Sequence, residues 1–196
     1  MAEIKISELP VATTPLTGAE LVELSQISGG SYGSVGATTE DIAFAASKYG
    51  SFHDLTDQTG STSAATAVTF NTAGIASRGI TLVSNSRITF SQAGVYVVTA
   101  MLQLSNSGGS DYTVDIWLAK NGTAVPDTNS VARVATPGSG GKQHFTQSGI
   151  ITVAEGDYVE IMWLPSNAAV TLDYTAAGAI APATASAVAT AVRIGL

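Results

Sequence analysis

From Arg87 to Leu104 the sequence reads Arg-Ile-Thr-Phe-Ser-Gln-Ala-Gly-Val-Tyr-Val-Val-Thr-Ala-Met-Leu-Gln-Leu, and this stretch decides the fold. Ile88 and Phe90 are spaced as one face of a strand, and Ser91 to Gly94 indicates a turn. A long strand then follows, because its residues alternate between two faces with period two. Both faces of this second strand are mostly apolar. We therefore expect it to be covered on both sides, in the middle of a sandwich or against a partner subunit.

The composition indicates that apolar surface must be covered. Hydrophobic residues make up 45% of the 196 residues and charged residues 12%, whereas about 25% charged residues is typical. The mean hydropathy is +0.27. No apolar run approaches the roughly 20 residues of a membrane helix, so membrane insertion is not expected. Oligomerisation is the simplest way to cover the surface. The alternative is a monomer with a surface rich in Ala, Gly and Thr.

Charge and cysteine content exclude several classes of function. The net charge is −7, which argues against non-specific nucleic-acid binding, since that requires a basic surface. The chain has no cysteine, so it has neither a disulfide framework nor a thiolate metal site. The first residues lack the charged and then apolar pattern of a signal peptide, so we expect synthesis and folding in a cytoplasm.

Residues 1–50 differ from the rest of the chain in their pattern of helix, strand and turn signals. Thr17 and Glu20 fit a helix capping box, after which either a single helical turn or a strand at Leu21–Gln26 can follow. Such a strand could pair with Tyr32–Ala37 as a hairpin. Thr39 can cap a short helix over residues 40–47. This segment has a small core at best and is typical of one that folds against a partner.

A boundary at Tyr49-Gly50-Ser51 then divides the chain into residues 1–50 and residues 51–196. Residues 55–66 read as a loop because they are rich in Thr, Ser, Gly and Ala. The remainder is a succession of short alternating segments without a helical period, which predicts an all-β sandwich or barrel. The predicted strands are 67–71, 79–84, 87–90, 94–104, 112–120, 131–135, 143–153, 158–164, 168–174 and 186–194.

Three pieces of the second part resemble the C1q/TNF-like jelly roll. They are Arg87–Phe90 with Gly94-Val95-Tyr96, the turn Ala154–Val159, and the closing strand through Arg193-Ile194. The run Asp115–Pro126 is similar to the form found in bacteriophage structural proteins. The resemblance covers roughly residues 52–196 and implies a jelly-roll sandwich. It also implies a tight homotrimer in which the last strand lies near the threefold axis. Arg193, the only charged residue of that strand, is then expected to meet a carboxylate or the carboxyl terminus of an adjacent chain.

The N-terminal segment resembles a short leader of phage head and tail appendage proteins. Lys5–Pro10, Leu16–Val22 and Thr39–Ile42 carry this resemblance. It implies that residues 1–50 bind capsid or tail proteins while the second domain faces outward. Collagen-like Gly-X-Y repeats, which precede many animal C1q domains, are absent. The side chains expected to contact the virion are Ile4, Ile6, Leu9, Leu16 and Leu21.

Few residues suggest a catalytic or metal-binding site. His53, Asp54 and Asp57 could form a small metal cluster, but a polar loop is the simpler interpretation, and His144 is read as a surface or interface histidine. Glu155 and Asp157 flank Gly156, where a turn already requires Gly and Asp. No residue spacing selects a calcium site from Asp54, Asp111, Asp115 and Asp173. We expect no catalytic residues, no cofactor and no metal.

Two tryptophans, Trp117 and Trp163, lie on predicted strands. Both are interpreted as core or trimer residues, and the alternative is a platform that stacks on sugars. The side chains expected in the core or at the trimer contact are Phe90, Tyr96, Val98, Trp117, Tyr158, Trp163, Val192 and Ile194.

The sequence therefore predicts a non-enzymatic virion structural protein, a homotrimeric head or tail appendage that is anchored by residues 1–50. One alternative is a receptor-binding tail-fibre protein that touches a host glycan or protein through Ser105–Asp111 and Pro137–Gly141. A second alternative is a bacterial cell-surface C1q-like lectin.

Overall fold

The structure is a computed structural model. It describes residues 21–28, 31–38, 47–73, 77–139 and 141–195. The chain divides into two compact units, Met1–Ser47 and Lys48–Leu196. Within the described residues, no helix has both the length and the apolar character needed to cross a membrane.

The first unit contains a β-hairpin. Strand β1, Leu21–Ser28, pairs antiparallel with β2, Ser31–Thr38, and Leu21 lies opposite Thr38. The predicted strand that begins at Leu21 is therefore present, whereas residues 18–20, where the alternative helical turn would lie, are outside the described residues. The predicted helix, apart from Ser47, lies outside the described residues, as do Ile4, Ile6, Leu9 and Leu16.

The second unit is an all-β jelly-roll sandwich, as the sequence predicts. Its described strands form two antiparallel sheets, with one 3₁₀ turn at Pro137–Ser139. The strands in chain order are β3 Tyr49–Asp54, β4 Gln58–Thr59, β5 Thr66–Ala67, β6 Thr72–Ala73, β7 Ile80–Val83, β8 Arg87–Phe90, β9 Gly94–Asn106, β10 Tyr112–Lys120, β11 Thr123–Ala124, β12 Ser130–Val134, β13 Lys142–Val153, β14 Tyr158–Pro165, β15 Val170–Leu172 and β16 Ala187–Gly195.

Strand β9 is the central strand of one sheet, which we call the β9 sheet. One edge of β9 pairs with β13 and the other with β16 and β15, while β3, β6 and β4 extend the sheet further. The second sheet, the β14 sheet, has the order β11-β10-β14-β8-β7, with β12 beside β10 and β5 beside β14. The chain crosses repeatedly between the two sheets, for example from β9 to β10 and from β12 to β13.

One hydrophobic core fills the space between the sheets. On β9 every second residue, including Tyr96, Val98 and Leu102, is fully buried, as strand periodicity requires. The β14 sheet contributes Ile116 and Trp163 to the same cluster. The Tyr96 ring lies 4.5 Å from the Phe90 ring, and its hydroxyl donates to the Gln92 carbonyl oxygen at 3.0 Å. The stretch from which the fold was predicted therefore lies at the centre of the core.

Strand β3 was not predicted from the sequence, where Tyr49-Gly50-Ser51 was read as a boundary. These residues begin β3, and Tyr49 lies opposite Val192 on β16. The alternation of β3 is hard to recognise because its buried positions hold Gly50, Phe52 and Asp54, of which only Phe52 is large and apolar. The strand conformation of β3, which its own sequence does not indicate, is stabilised by pairing with β16.

Candidate self-association face

The β9 sheet turns its second face away from the core, and this outer face is largely apolar. Val97 of β9 lies opposite Ile150 of β13 on one side and Val192 of β16 on the other. Met101 lies opposite Val188 of β16. We call this surface the outer β9 face; its residues are Val95, Val97, Thr99, Met101, Thr146, Ser148, Ile150, Val188, Thr190, Val192 and Ile194.

Four large apolar side chains on this face are exposed to solvent. Their exposed fractions are 40% for Met101, 70% for Ile150, 48% for Val192 and 56% for Ile194. Between the apolar rows, Thr99 and Ser148 share a hydrogen bond of 2.9 Å between their hydroxyl oxygens. Exposed apolar side chains that cluster on one face commonly mark an interaction site.

The eleven residues that define the outer β9 face include no charged side chain; Lys142 lies on the same side of β13, but at the end of the strand opposite Ser105, where it pairs with Asp173. His53 and His144 lie at the edge of the surface, where His53 is opposite Val188 and His144 is opposite Gln103. A face without fixed charge can be covered by another protein surface without the cost of removing ions from water. The arrangement therefore favours burial against protein.

The remaining predicted core or trimer residues separate into three groups. Phe90, Tyr96, Val98 and Trp163 are fully buried within the single chain. Tyr158 is partly exposed, and the Arg87 guanidinium lies 4.6 Å from its ring centre. Val192 and Ile194 belong to the outer β9 face, whereas Trp117 lies on the opposite side of the sandwich and is not a core residue.

Arg193 was expected to meet a carboxylate of an adjacent chain, and the structure gives it partners within its own chain. Its guanidinium donates to the carbonyl oxygens of Gly195 and Ala93 at 3.1 and 2.9 Å, and to Gln92 Oε1 at 3.3 Å. Arg193 therefore fastens the end of β16 to the turn before β9.

The side chains of the possible metal cluster, His53, Asp54 and Asp57, do not converge on one point. Asp54 is buried, and its carboxylate accepts hydrogen bonds from Asn71 Nδ2 at 2.8 Å and Thr69 Oγ1 at 3.0 Å. Asp57 instead accepts from the Tyr174 backbone N–H at 2.7 Å. His53 lies on the other face of β3. In the part of the chain that the structure describes, no three His, Cys, Asp or Glu side chains are placed to hold a metal ion.

Asp157 has a structural role in joining two hairpins. Its carboxylate accepts from Asn121 Nδ2 at 2.7 Å and from the Ala154 N–H at 2.8 Å, and these bonds hold its pKa below the ordinary value. Asn121 and Gly122, at φ values of 51° and 79°, form the predicted turn between β10 and β11. Glu155 lies exposed in the other turn, between β13 and β14, where Gly156 has a φ of 82° and the Asp157 N–H donates to the Ala154 carbonyl oxygen.

The two loops that were proposed to touch a host surface lie next to each other. Buried Asn106 donates from its side-chain amide to the carbonyl oxygens of Ser110 and Ala135, and its N–H donates to the Gly141 carbonyl at 2.6 Å. Asp111 adds a second link by accepting from the Thr136 N–H, which with Arg133 lowers its pKa. From the sequence, Asn106 was assigned to the polar loop Ser105–Asp111, because a polar residue within a polar run gives no sign of burial.

Comparison with known proteins adds little. No protein-family model matches the sequence, and no curated protein matches it. Of 215 matching chains among solved structures, the crystal structure of murine APRIL at pH 8.5 covers 76% of this chain and 99% of its own, at 10% identity and a TM-score of 0.48. A likeness at this level supports no inference about binding, and the jelly-roll assignment rests on the strand order above.

Proposed function

We propose that this protein is a non-enzymatic structural component of a bacteriophage virion, a homotrimeric appendage on the head or tail. In this proposal residues 1–50 bind capsid or tail proteins, and the jelly roll faces outward. The likeness of Lys5–Pro10, Leu16–Val22 and Asp115–Pro126 to phage appendage proteins supports the virion assignment. The observation that carries the assembly is the uncharged outer β9 face with its four exposed apolar side chains.

The distribution of these side chains supports a ring. Ile150 is the most exposed of the four and lies on β13, which pairs on one side with β9. Val192 and Met101 lie nearer the middle of the same sheet. In the proposed trimer, the β13 side of one subunit packs on the β16 and β9 side of the next. Such a contact joins two different surfaces, and it closes into a ring when the rotation is one third of a turn.

Burial of the four exposed apolar side chains would contribute favourably to association of the subunits. Completely burying an Ile, Met or Val side chain contributes about 1.5–3 kcal/mol. The four side chains are on average about half exposed, so covering them contributes about 3–6 kcal/mol per subunit. Three subunits together gain about 9–18 kcal/mol from these residues before the cost of association is subtracted. Each of the two association steps costs about 4–15 kcal/mol, so the other side chains of the outer β9 face must add to this gain for the trimer to dissociate only when it unfolds, as we propose.

The virion assignment is tested on particles. Phage particles from the source of the sequence are purified on a density gradient and probed with an antibody against residues 48–196. We expect the chain to sediment with intact particles and a chain lacking residues 1–47 to remain at the top of the gradient. A full-length chain that is made but never sediments with particles would refute the virion role.

A further inference from the structure

The outward side of the β14 sheet carries a groove that the proposed assembly leaves unused. It has a volume of about 430 Å³ and lies on the side of the sandwich opposite the outer β9 face. We call it the Trp117 groove; its lining residues are Asp115, Trp117, Ala124, Val125, Asp127, Asn129 and Leu164.

The apolar part of the groove is built around Trp117. Its neighbours Val114, Ile116 and Leu118 on β10 face the core, so strand periodicity turns Trp117 outward. Leu164 and Val125 flank it in the groove. Within the described residues, the indole Nε1–H makes no hydrogen bond. Trp117 therefore offers an apolar ring face together with an unused donor at its edge.

The polar part of the groove consists of acceptors. Asn129 Nδ2 donates to Asp115 Oδ1 at 2.8 Å, which leaves the second Asp115 oxygen and the Asn129 carbonyl oxygen available. The Asp127 carboxylate has no hydrogen-bond donor among the described residues. None of the described residues that line the groove is Lys or Arg. Such a set accepts hydrogen bonds from hydroxyl groups and repels anions.

The loop that carries these acceptors is held in place before any ligand arrives. Thr128 Oγ1 donates to the Val125 carbonyl at 2.8 Å and accepts from the Leu118 N–H at 3.1 Å. Gln147 Nε2 donates to the Thr128 carbonyl at 2.9 Å. Asp127 has a positive φ of 60° within this loop. A loop fixed in this way loses little conformational entropy on binding.

We propose that the Trp117 groove binds a neutral saccharide. The apolar C–H face of one sugar ring packs on the indole of Trp117, and its hydroxyl groups donate to Asp127 and Asp115. Hydroxyl donors match a site that is rich in acceptors, and the absence of a basic side chain in the groove disfavours sialylated or phosphorylated sugars. This proposal does not require a virion or a trimer, although a trimer would present three grooves and increase avidity.

The experiment measures binding of the full chain to an array of neutral and sialylated oligosaccharides, followed by calorimetric titration of the strongest neutral sugar, a readout that does not depend on Trp117. In the wild-type chain, where Trp163 is fully buried, a change in tryptophan fluorescence on binding additionally reports on Trp117. Trp117→Ala is expected to weaken binding about tenfold or more, as for other aromatic anchors. Trp117→Phe keeps an aromatic face and is expected to retain part of the affinity. This variant provides the test if Trp117→Ala fails to fold.

Two further variants make the test specific. Asp127→Gly removes the acceptor at a backbone position that glycine adopts without strain, and it is expected to weaken binding about tenfold. Tyr158→Ala is the matched control, since Tyr158 is a partly exposed aromatic residue of the same sheet that Arg87 covers. Binding confined to sialylated sugars, binding unchanged in Trp117→Ala, or no neutral sugar bound at millimolar concentration would each overturn the proposal. Binding of hexa-arginine instead of sugars would assign the groove to basic peptides and also overturn it.

Discussion

Replacing Val192 by Asn tests whether the outer β9 face is an interface. Val192 is 48% exposed in the single chain, and its backbone lies opposite Val97 of β9 on one side and Tyr49 of β3 on the other. The matched control is Val83→Asn, because Val83 of β7 is 45% exposed and lies on the other sheet. The two substitutions are therefore nearly equivalent for a monomer and very different for the proposed trimer.

The expected magnitude follows from burial. Covering the exposed half of Val192 contributes about 0.7–1.4 kcal/mol per subunit. An asparagine amide buried without a partner costs about 1–3 kcal/mol in addition. The trimer is thus weakened by about 2–4 kcal/mol per subunit, or about 6–12 kcal/mol in total. This corresponds to at least about four powers of ten in the trimer dissociation constant.

The assay is sedimentation equilibrium of wild type, Val192→Asn and Val83→Asn over a range of protein concentrations, with a thermal melt of each. Val192→Asn is expected to shift toward monomer or to melt at a strongly concentration-dependent temperature. Val83→Asn is expected to keep the wild-type mass. Equal behaviour of the two variants would refute the assignment of the face.

Four further predictions concern stability and boundaries. Tyr96→Ala is expected to give insoluble or severely destabilised protein, because removing a large buried side chain costs about 2–5 kcal/mol; soluble yield and melting temperature measure this. Burial raises the pKa of the Tyr96 hydroxyl, although Arg193 opposes this, so its contribution to stability is complete below pH 10 and is lost as pH rises through the folded-state pKa. Urea unfolding at rising alkaline pH should therefore show a decline that is smaller in Tyr96→Phe. Deleting residues 188–196 removes most of β16 and should abolish folding, as measured by circular dichroism. A chain that begins at Lys48 keeps β3 complete and should fold and assemble like the full chain, whereas loss of its cooperative melt would show that the first unit is required.

The sequence allowed the long strands to be predicted because their alternation is an intrinsic property of the chain. Strand β8 was predicted with its observed bounds, and the Asn121-Gly122 turn was also correct. The two-residue strands β4, β6 and β11 could not be predicted, because such strands form only where a neighbouring strand offers backbone partners. The same reason explains why β3 was missed.

Which face of a strand points inward was harder to predict than the strand itself. On β16 the alanines Ala187, Ala189 and Ala191 face the core, and the larger Val188 and Val192 face outward. Both sets are apolar, so periodicity alone cannot choose between them. For Trp117 the signal was present, since it alternates with three buried aliphatic residues and shares its face with Asp115.

The most direct test of the account is the mass of the wild-type protein in solution. Light scattering coupled to size exclusion, at micromolar concentration and neutral pH, should give three times the chain mass of 19.8 kDa. Dilution should leave this mass unchanged until the protein unfolds. A stable, cooperatively folded monomer under these conditions would contradict the claim that the outer β9 face joins three copies of this chain.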